Sequence, residues 1–267
     1  MRGRGGNGMG GFARAAVALA LVLGIGAPGA CRAAKQSLPR PGKVYTWSFQ
    51  ADTLGQKPAH SIAFGGNWQV VEDSTNAAAS SVASTPGAAL GDSSGAGLGA
   101  AAHDSSAAAI PAPATPAPRH LFQSESDDGI SYHYLNFTRP MLGDLDASVR
   151  FRIRSGEIDP SAGLLFQMDP KGTSGYLVRV SGKTGELAFH YLLYGKRRDV
   201  KYAKIPPLEA GTWHTLAIAR RKSQLRVLYD GKEVLTARDD RYSKGTVGVW
   251  AEDDTLADFA DLAATAR

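Results

Sequence analysis

Three short segments of this chain carry side chains whose types and spacing suit chemistry. "GEIDP" (156–160) sets Glu157 and Asp159 two residues apart, and "WAEDD" (250–254) sets Glu252 two residues after Trp250. A pair of carboxylates flanking a glycosidic bond can act as acid and nucleophile, so Glu157, Asp159 and Glu252 are the candidate catalytic residues. Acidic residues are also common in turns for solvation alone, and both clusters read as turns. The third segment, "LDASVRFRIR" (145–154), alternates Arg150, Arg152 and Arg154 with Val149, Phe151 and Ile153. A period of two places the arginines on one face of a strand and the apolar residues on the other. A guanidinium is a planar fork of donors that suits carboxylates, phosphates and vicinal hydroxyls. With Gln167, Arg179 and the ring of Tyr176 in neighbouring strands, the three arginines form the candidate ligand-binding patch, against the alternative of a solvated basic face.

Other chemistry is sparse. The six histidines show no metal-ligand spacing, and the one cysteine, Cys31, excludes an intrachain disulfide or a thiolate zinc cluster. The formal charge of +5 falls to about +2 once Arg2, Arg4 and Arg14 are set aside, so nucleic acid is not an expected partner.

Those three arginines open a leader. Residues 1–31 run from a basic start through an apolar stretch, Ala15 to Ile25, to small residues and Cys31. That order is a signal peptide, too short in its apolar part for a comfortable membrane span, so the chain is expected to be exported. The arrangement resembles bacterial lipoprotein signals, which implies lipidation of Cys31 and a membrane contact through the lipid; Pro28 departs from the usual Leu. The alternative is an ordinary signal cut near Ala27 or Ala30, giving a periplasmic or secreted product. Residues 32–42 form a tether under either reading.

The elements that position the candidate residues are strands. Aromatic and β-branched segments such as "KVYTWSFQAD" (43–52), "SGYLVRVS" (174–181) and "GTVGVWAEDD" (245–254) are separated by Gly, Asp, Lys and Ser turns. Asp230-Gly231 in "YDGKEV" suits a two-residue hairpin turn. Roughly a dozen short strands without helices means a sandwich or closed sheet. Between the second and later strands, residues 74–118 hold 16 alanines, no aromatic residue and only two charges, Asp92 and Asp104. Such a tract cannot repay its ordering entropy and is expected to be disordered. Residues 43–73 are too few to bury a sheet face alone, so residues 43–267 are expected to be one domain with the tract as a loop insertion.

"TWSFQADTLGQKP", "GNWQVVED", Trp213 to Leu216, "LRVLYDGKEVLTARDD", "KGTVGVW" and "FADL" together resemble the concanavalin A-like jelly-roll domains of bacterial exported proteins. Within these the similarity is to the group labelled 3-keto-disaccharide hydrolase-like, beside laminin-G-like and glucanase-like relatives. The resemblance implies an all-β jelly-roll sandwich of two curved antiparallel sheets, with a carbohydrate site on the concave face or its rim. It also implies adjacent first and last strands, where Asp52 and Asp261 are candidate ligands of a structural calcium; no other cofactor is expected. The Glu-x-Asp-x-x-Glu pattern of the glucanase-like members is absent. Trp213 is expected to close one end of the core, and Phe259 to anchor the last strand beside the first. Three functions remain open: a carbohydrate- or surface-binding module of the bacterial cell envelope, a glycoside hydrolase-like enzyme for an unusual or oxidised disaccharide, and a structural envelope protein.

Overall fold

The computed structural model describes residues 38–73 and 118–267. The leader with Cys31, most of the tether, and the alanine-rich tract up to residue 117 lie outside the described residues. Fifteen strands are present in them: β1 (Val44–Trp47), β2 (Ser61–Phe64), β3 (Trp68–Glu72), β4 (Arg119–Gln123), β5 (Tyr132–Phe137), β6 (Leu145–Ser155), β7 (Ser161–Met168), β8 (Gly175–Ser181), β9 (Glu186–Leu193), β10 (Lys196–Lys204), β11 (His214–Arg221), β12 (Gln224–Tyr229), β13 (Lys232–Arg238), β14 (Thr246–Glu252) and β15 (Leu256–Ala266). An eight-stranded sheet has the order β13-β12-β11-β6-β15-β4-β3, with β1 also paired to β15. A seven-stranded sheet has the order β10-β9-β8-β7-β14-β5-β2. Every strand pairing is antiparallel, and the chain is an all-β jelly-roll sandwich.

Period-two alternation builds the core. Leu145, Ala147, Val149, Phe151 and Ile153 of β6 face Leu164, Phe166, Val178, Phe189 and Val249 of the other sheet in one apolar cluster. Asp230 (φ 47°) and Gly231 (φ 77°) turn β12 into β13, the left-handed pair that such a hairpin requires. Gly248 sits where a Cβ would lie 2.4 Å from the Leu135 carbonyl oxygen, so only glycine lets β14 approach β5 this closely. First and last strands are adjacent, with Trp47 opposite Leu262. Phe259 is buried but stands opposite Leu121 of β4 rather than beside β1.

Trp213 departs from expectation. It precedes β11, is only half-buried, and lies outside the core on the far face of the eight-stranded sheet beside Arg150 and Arg152. The reason is parity: His214 opposes Phe151, so its predecessor falls on the arginine side.

The seven-stranded sheet curls over its outer face. Arg197 on β10 bonds Glu252 on β14, four strands away in the sheet order. In a flat sheet those strands would be about 19 Å apart, further than the two side chains reach. The outer face of this sheet is therefore concave.

At the base of the alanine-rich tract Glu72 pairs with Arg119, and the Asp73 N–H donates to the Pro118 carbonyl at 2.9 Å. The tract's ends are thus held together by neighbouring antiparallel strands. Replacing residues 75–116 by a short hairpin turn is expected to preserve one cooperative thermal transition. Its midpoint should not fall, because loop-closure cost drops by about 0.6 kcal/mol for each halving of the loop. Loss of the transition in a calorimetric scan would show that the tract carries structure.

Candidate functional site

Register assembles a row of side chains across the concave face: Phe64, Tyr134, Trp250, Gly163, Arg179, Ala188 and Tyr202 occupy successive strands from β2 to β10. Three rings stack at one end, with centroids 4.8 Å apart for Phe64–Tyr134 and 5.2 Å for Tyr134–Trp250. Leu165, Met168, Leu177 and Leu192 join them in a second apolar cluster. The β7–β8 turn covers this half, since the Tyr134 hydroxyl donates to the Gly172 carbonyl at 3.0 Å and the Gly195 N–H to the Thr173 carbonyl at 2.7 Å.

The other half of the face is polar. Glu252, 2% exposed, accepts hydrogen bonds through Oε1 from Trp250 Nε1 at 2.8 Å and from Arg197. Arg179 Nε lies 3.4 Å from the same oxygen, without hydrogen-bond geometry. Its Nη1 donates to Asp159 Oδ2 at 3.1 Å and to Ser161 Oγ at 2.7 Å, while Ser181 Oγ donates to Asp159 Oδ1 at 2.7 Å. The Arg197 guanidinium stands 5.3 Å from the centre of the half-buried Tyr132 ring, which in turn packs on Trp250 at 4.8 Å. His190 is buried beside these groups, its Nδ1 3.0 Å from Asp199 Oδ1. Burial first, then the charges of Arg197 and Arg179, hold its imidazole well below the usual range, so it is neutral at pH 7. A shelf of alternating donors and acceptors beside an aromatic edge results, with Tyr132, Asp159, Arg197 and Tyr202 reaching solvent at its rim.

Three residues singled out in the sequence from separate segments, Asp159, Arg179 and Glu252, therefore meet at one guanidinium. Others do not join them. Glu157 is exposed at one end of the sandwich, on a cleft of about 360 Å3 that Ile153, Pro160, Leu208 and Glu209 also line. Tyr176 points into the core, where its hydroxyl donates to Asp239 Oδ1 at 2.6 Å, so it offers no ring to a ligand. Gln167 is buried in an irregular step of β7 (φ 49°) and its Nε2 donates to the Gly143 carbonyl at 2.9 Å. Arg197, Tyr132, His190 and Tyr202 were not anticipated. Tyr132 and Tyr134 do show the period-two signal of a shared face, whereas Arg197 is one basic residue among several in "YGKRRDV".

Arg150, Arg152 and Arg154 lie on the outer face of the opposite sheet, so they share no surface with Arg179. Arg152 and Arg154 serve a buried carboxylate. Asp258 is fully buried, 3.0 Å from His120 Nε2, and accepts from Arg152 Nε at 2.7 Å and from Arg154 Nη2 at 2.6 Å. Arg150 pairs with Asp261 at 2.9 Å, and the Trp213 ring takes the guanidinium groups of Arg150 and Arg152 at 4.9 and 4.7 Å.

A calcium at Asp52 and Asp261 does not fit the residues present. Asp52 Oδ1 accepts the Ala59 N–H at 2.8 Å, and Asp261 already faces the Arg150 cation. Among the described residues no three His, Cys, Asp or Glu side chains gather as a metal would need.

No protein-family model matches the sequence, and no curated protein does. Solved structures match by fold. The carbohydrate binding module CBM66 from Bacillus subtilis superposes with a TM-score of 0.50 at 18% identity, over 55% of this chain and 86% of that one. The exoplasmic/lumenal domain of VIP36, in a form bound to Ca2+ and Man2, gives 0.46 at 12% identity over 57% and 78% of the two chains. A Bacillus licheniformis β-glucanase gives 0.43 at 15% over 55% and 79%. The chain shares with that module the two-sheet antiparallel jelly-roll fold.

The Asp258 cluster makes acid stability testable. Burial alone would raise this carboxyl, but hydrogen bonds from His120, Arg154 and Arg152 outweigh burial and hold it at about 2, below its ordinary 3.8. A depressed folded-state value means stability that is present above pH 4 and lost as the pH falls through 2, worth about 2–3 kcal/mol. Asp258→Asn should lower stability at pH 7 and flatten the acid limb of a plot of unfolding free energy against pH. Parallel acid limbs for the two proteins would refute this role.

Proposed function

We propose that this chain is an exported carbohydrate-binding domain of the bacterial cell envelope, with its ligand held on the polar half of the concave face. The observation that carries this reading is the convergence of Asp159, Arg179, Arg197 and Glu252 beside Tyr132 and Trp250. A pyranose or furanose ring presents hydroxyls that both donate and accept, together with an apolar C–H face. Rim carboxylate and guanidinium groups suit the first, and the Tyr132 ring suits the second. Attachment to a membrane through a lipid on Cys31 belongs to the same proposal.

Asp159 and Glu252 flank one guanidinium, which is the observation favouring a second reading, a glycoside hydrolase-like enzyme acting on an unusual or oxidised disaccharide. Binding is preferred because both carboxylates are already engaged as acceptors: Asp159 with Arg179 and Ser181, Glu252 with Trp250 and Arg197. A general acid needs a proton free to give.

The test is a glycan array with the purified protein, with and without calcium, followed by sugar-release assays on every binder. Arg197→Ala and Tyr132→Ala should each weaken a positive glycan by about tenfold or more, the worth of one charge-assisted or ring contact. Arg150→Ala, on the opposite sheet, should leave affinity unchanged. No binder, or equal affinity for all four proteins, overturns the proposal. Sugar release abolished by Glu252→Gln would establish the enzyme reading instead.

A further inference from the structure

A groove of about 460 Å3 lies where the tether joins the domain, lined by Leu38, Pro39, Arg40, Lys43, Tyr45, Arg139, Pro140 and Met141. Its composition is one-sided: three cations, five apolar residues and no carboxylate. Arg40 and Lys43 are exposed, and so is Leu38 at 49%. Lys43 Nζ stands 5.0 Å from the centre of the Tyr45 ring.

We infer that this groove is a docking face for the anionic headgroups of a phospholipid bilayer. Two observations select a membrane over a soluble polyanion. Cations rimming an apolar floor match a phosphate above glycerol and acyl carbons, whereas a polyanionic glycan would leave Leu38 and Met141 facing water. The chain also enters the domain through the groove wall. Leu38 follows Cys31 by seven residues, so an extended tether is at most about 25 Å long. A lipid at Cys31 would hold the groove near the headgroups, where juxtamembrane basic residues bind anionic lipid. The inference rests on the lipid-anchor part of the proposed function for the direction the groove faces, and not on the sugar site.

The experiment uses the chain from Arg32, which retains all fifteen strands and lacks Cys31, so that lipidation and groove binding are read separately. Co-sedimentation is measured with phosphatidylglycerol–phosphatidylcholine vesicles and with pure phosphatidylcholine vesicles. Binding is expected to the first, weakened by salt, and to be about tenfold or more tighter than to the second. Arg40→Glu with Lys43→Glu should abolish that preference at unchanged thermal midpoint. Lys232→Glu, on the edge strand β13, should behave as the parent. The inference is overturned by equal binding to both vesicle types or by equal binding of the double variant and the parent. It is also overturned if neither vesicle binds while polygalacturonate binds the parent and not the double variant.

Discussion

One carboxylate oxygen organises the concave face. Glu252 Oε1 takes the indole N–H of its own strand and a guanidinium from the far edge strand, and it lies against a second guanidinium from β8. Burying an ion without partners is costly, so a carboxylate at 2% exposure demands that its donors arrive from wherever the fold can bring them. Here they arrive from strands that only a curled sheet can bring together. Curvature, the position of Arg197 over Tyr132 and the exposure of Asp159 at the rim all accompany that one requirement.

The opposite sheet repeats the device with a different outcome. Asp258 is equally buried and gathers two arginines and a histidine, but the Trp213 and Phe122 rings cap those arginines from above, the latter with Arg154 at 4.0 Å. One face thus spends its arginines on closing itself, and the other leaves an arginine and a tyrosine at an open rim. The two outer faces of the sandwich are alike in charge chemistry and differ in what covers it.

That contrast also explains what the sequence could reveal. Alternation along "LDASVRFRIR" specifies which side chains share a face, and Asp230-Gly231 specifies a turn, because both are local. Whether Arg150 and Arg179 share a sheet is decided by strand order, which no local pattern encodes. Asp258 sits in "LADFADL", where nothing distinguishes it from a solvent-facing residue until β15 is inserted between β6 and β4. Tyr176 looks like a platform by type, yet the parity of β8 turns it inward opposite Arg179's side of the strand. Trp213 fails for the same reason by a single residue of register. Asp159 and Glu252 were legible only as acidic types; their meeting is a product of β7, β8 and β14 lying side by side.

The pairing of β1 with β15 has a consequence for chain connectivity. The Gly42 N–H donates to the Ala266 carbonyl at 2.8 Å and the Ala266 N–H to the Lys43 carbonyl at 3.0 Å, so the first and last residues of the sandwich touch. Asp73 and Pro118 touch in the same way at the base of the long tract. The sandwich is then topologically a ring with two openings, one between Gly42 and Ala266 and one between Asp73 and Pro118. A circularly permuted gene that joined the first opening and cut the second would keep every strand neighbour while moving the point of attachment to another corner of the domain.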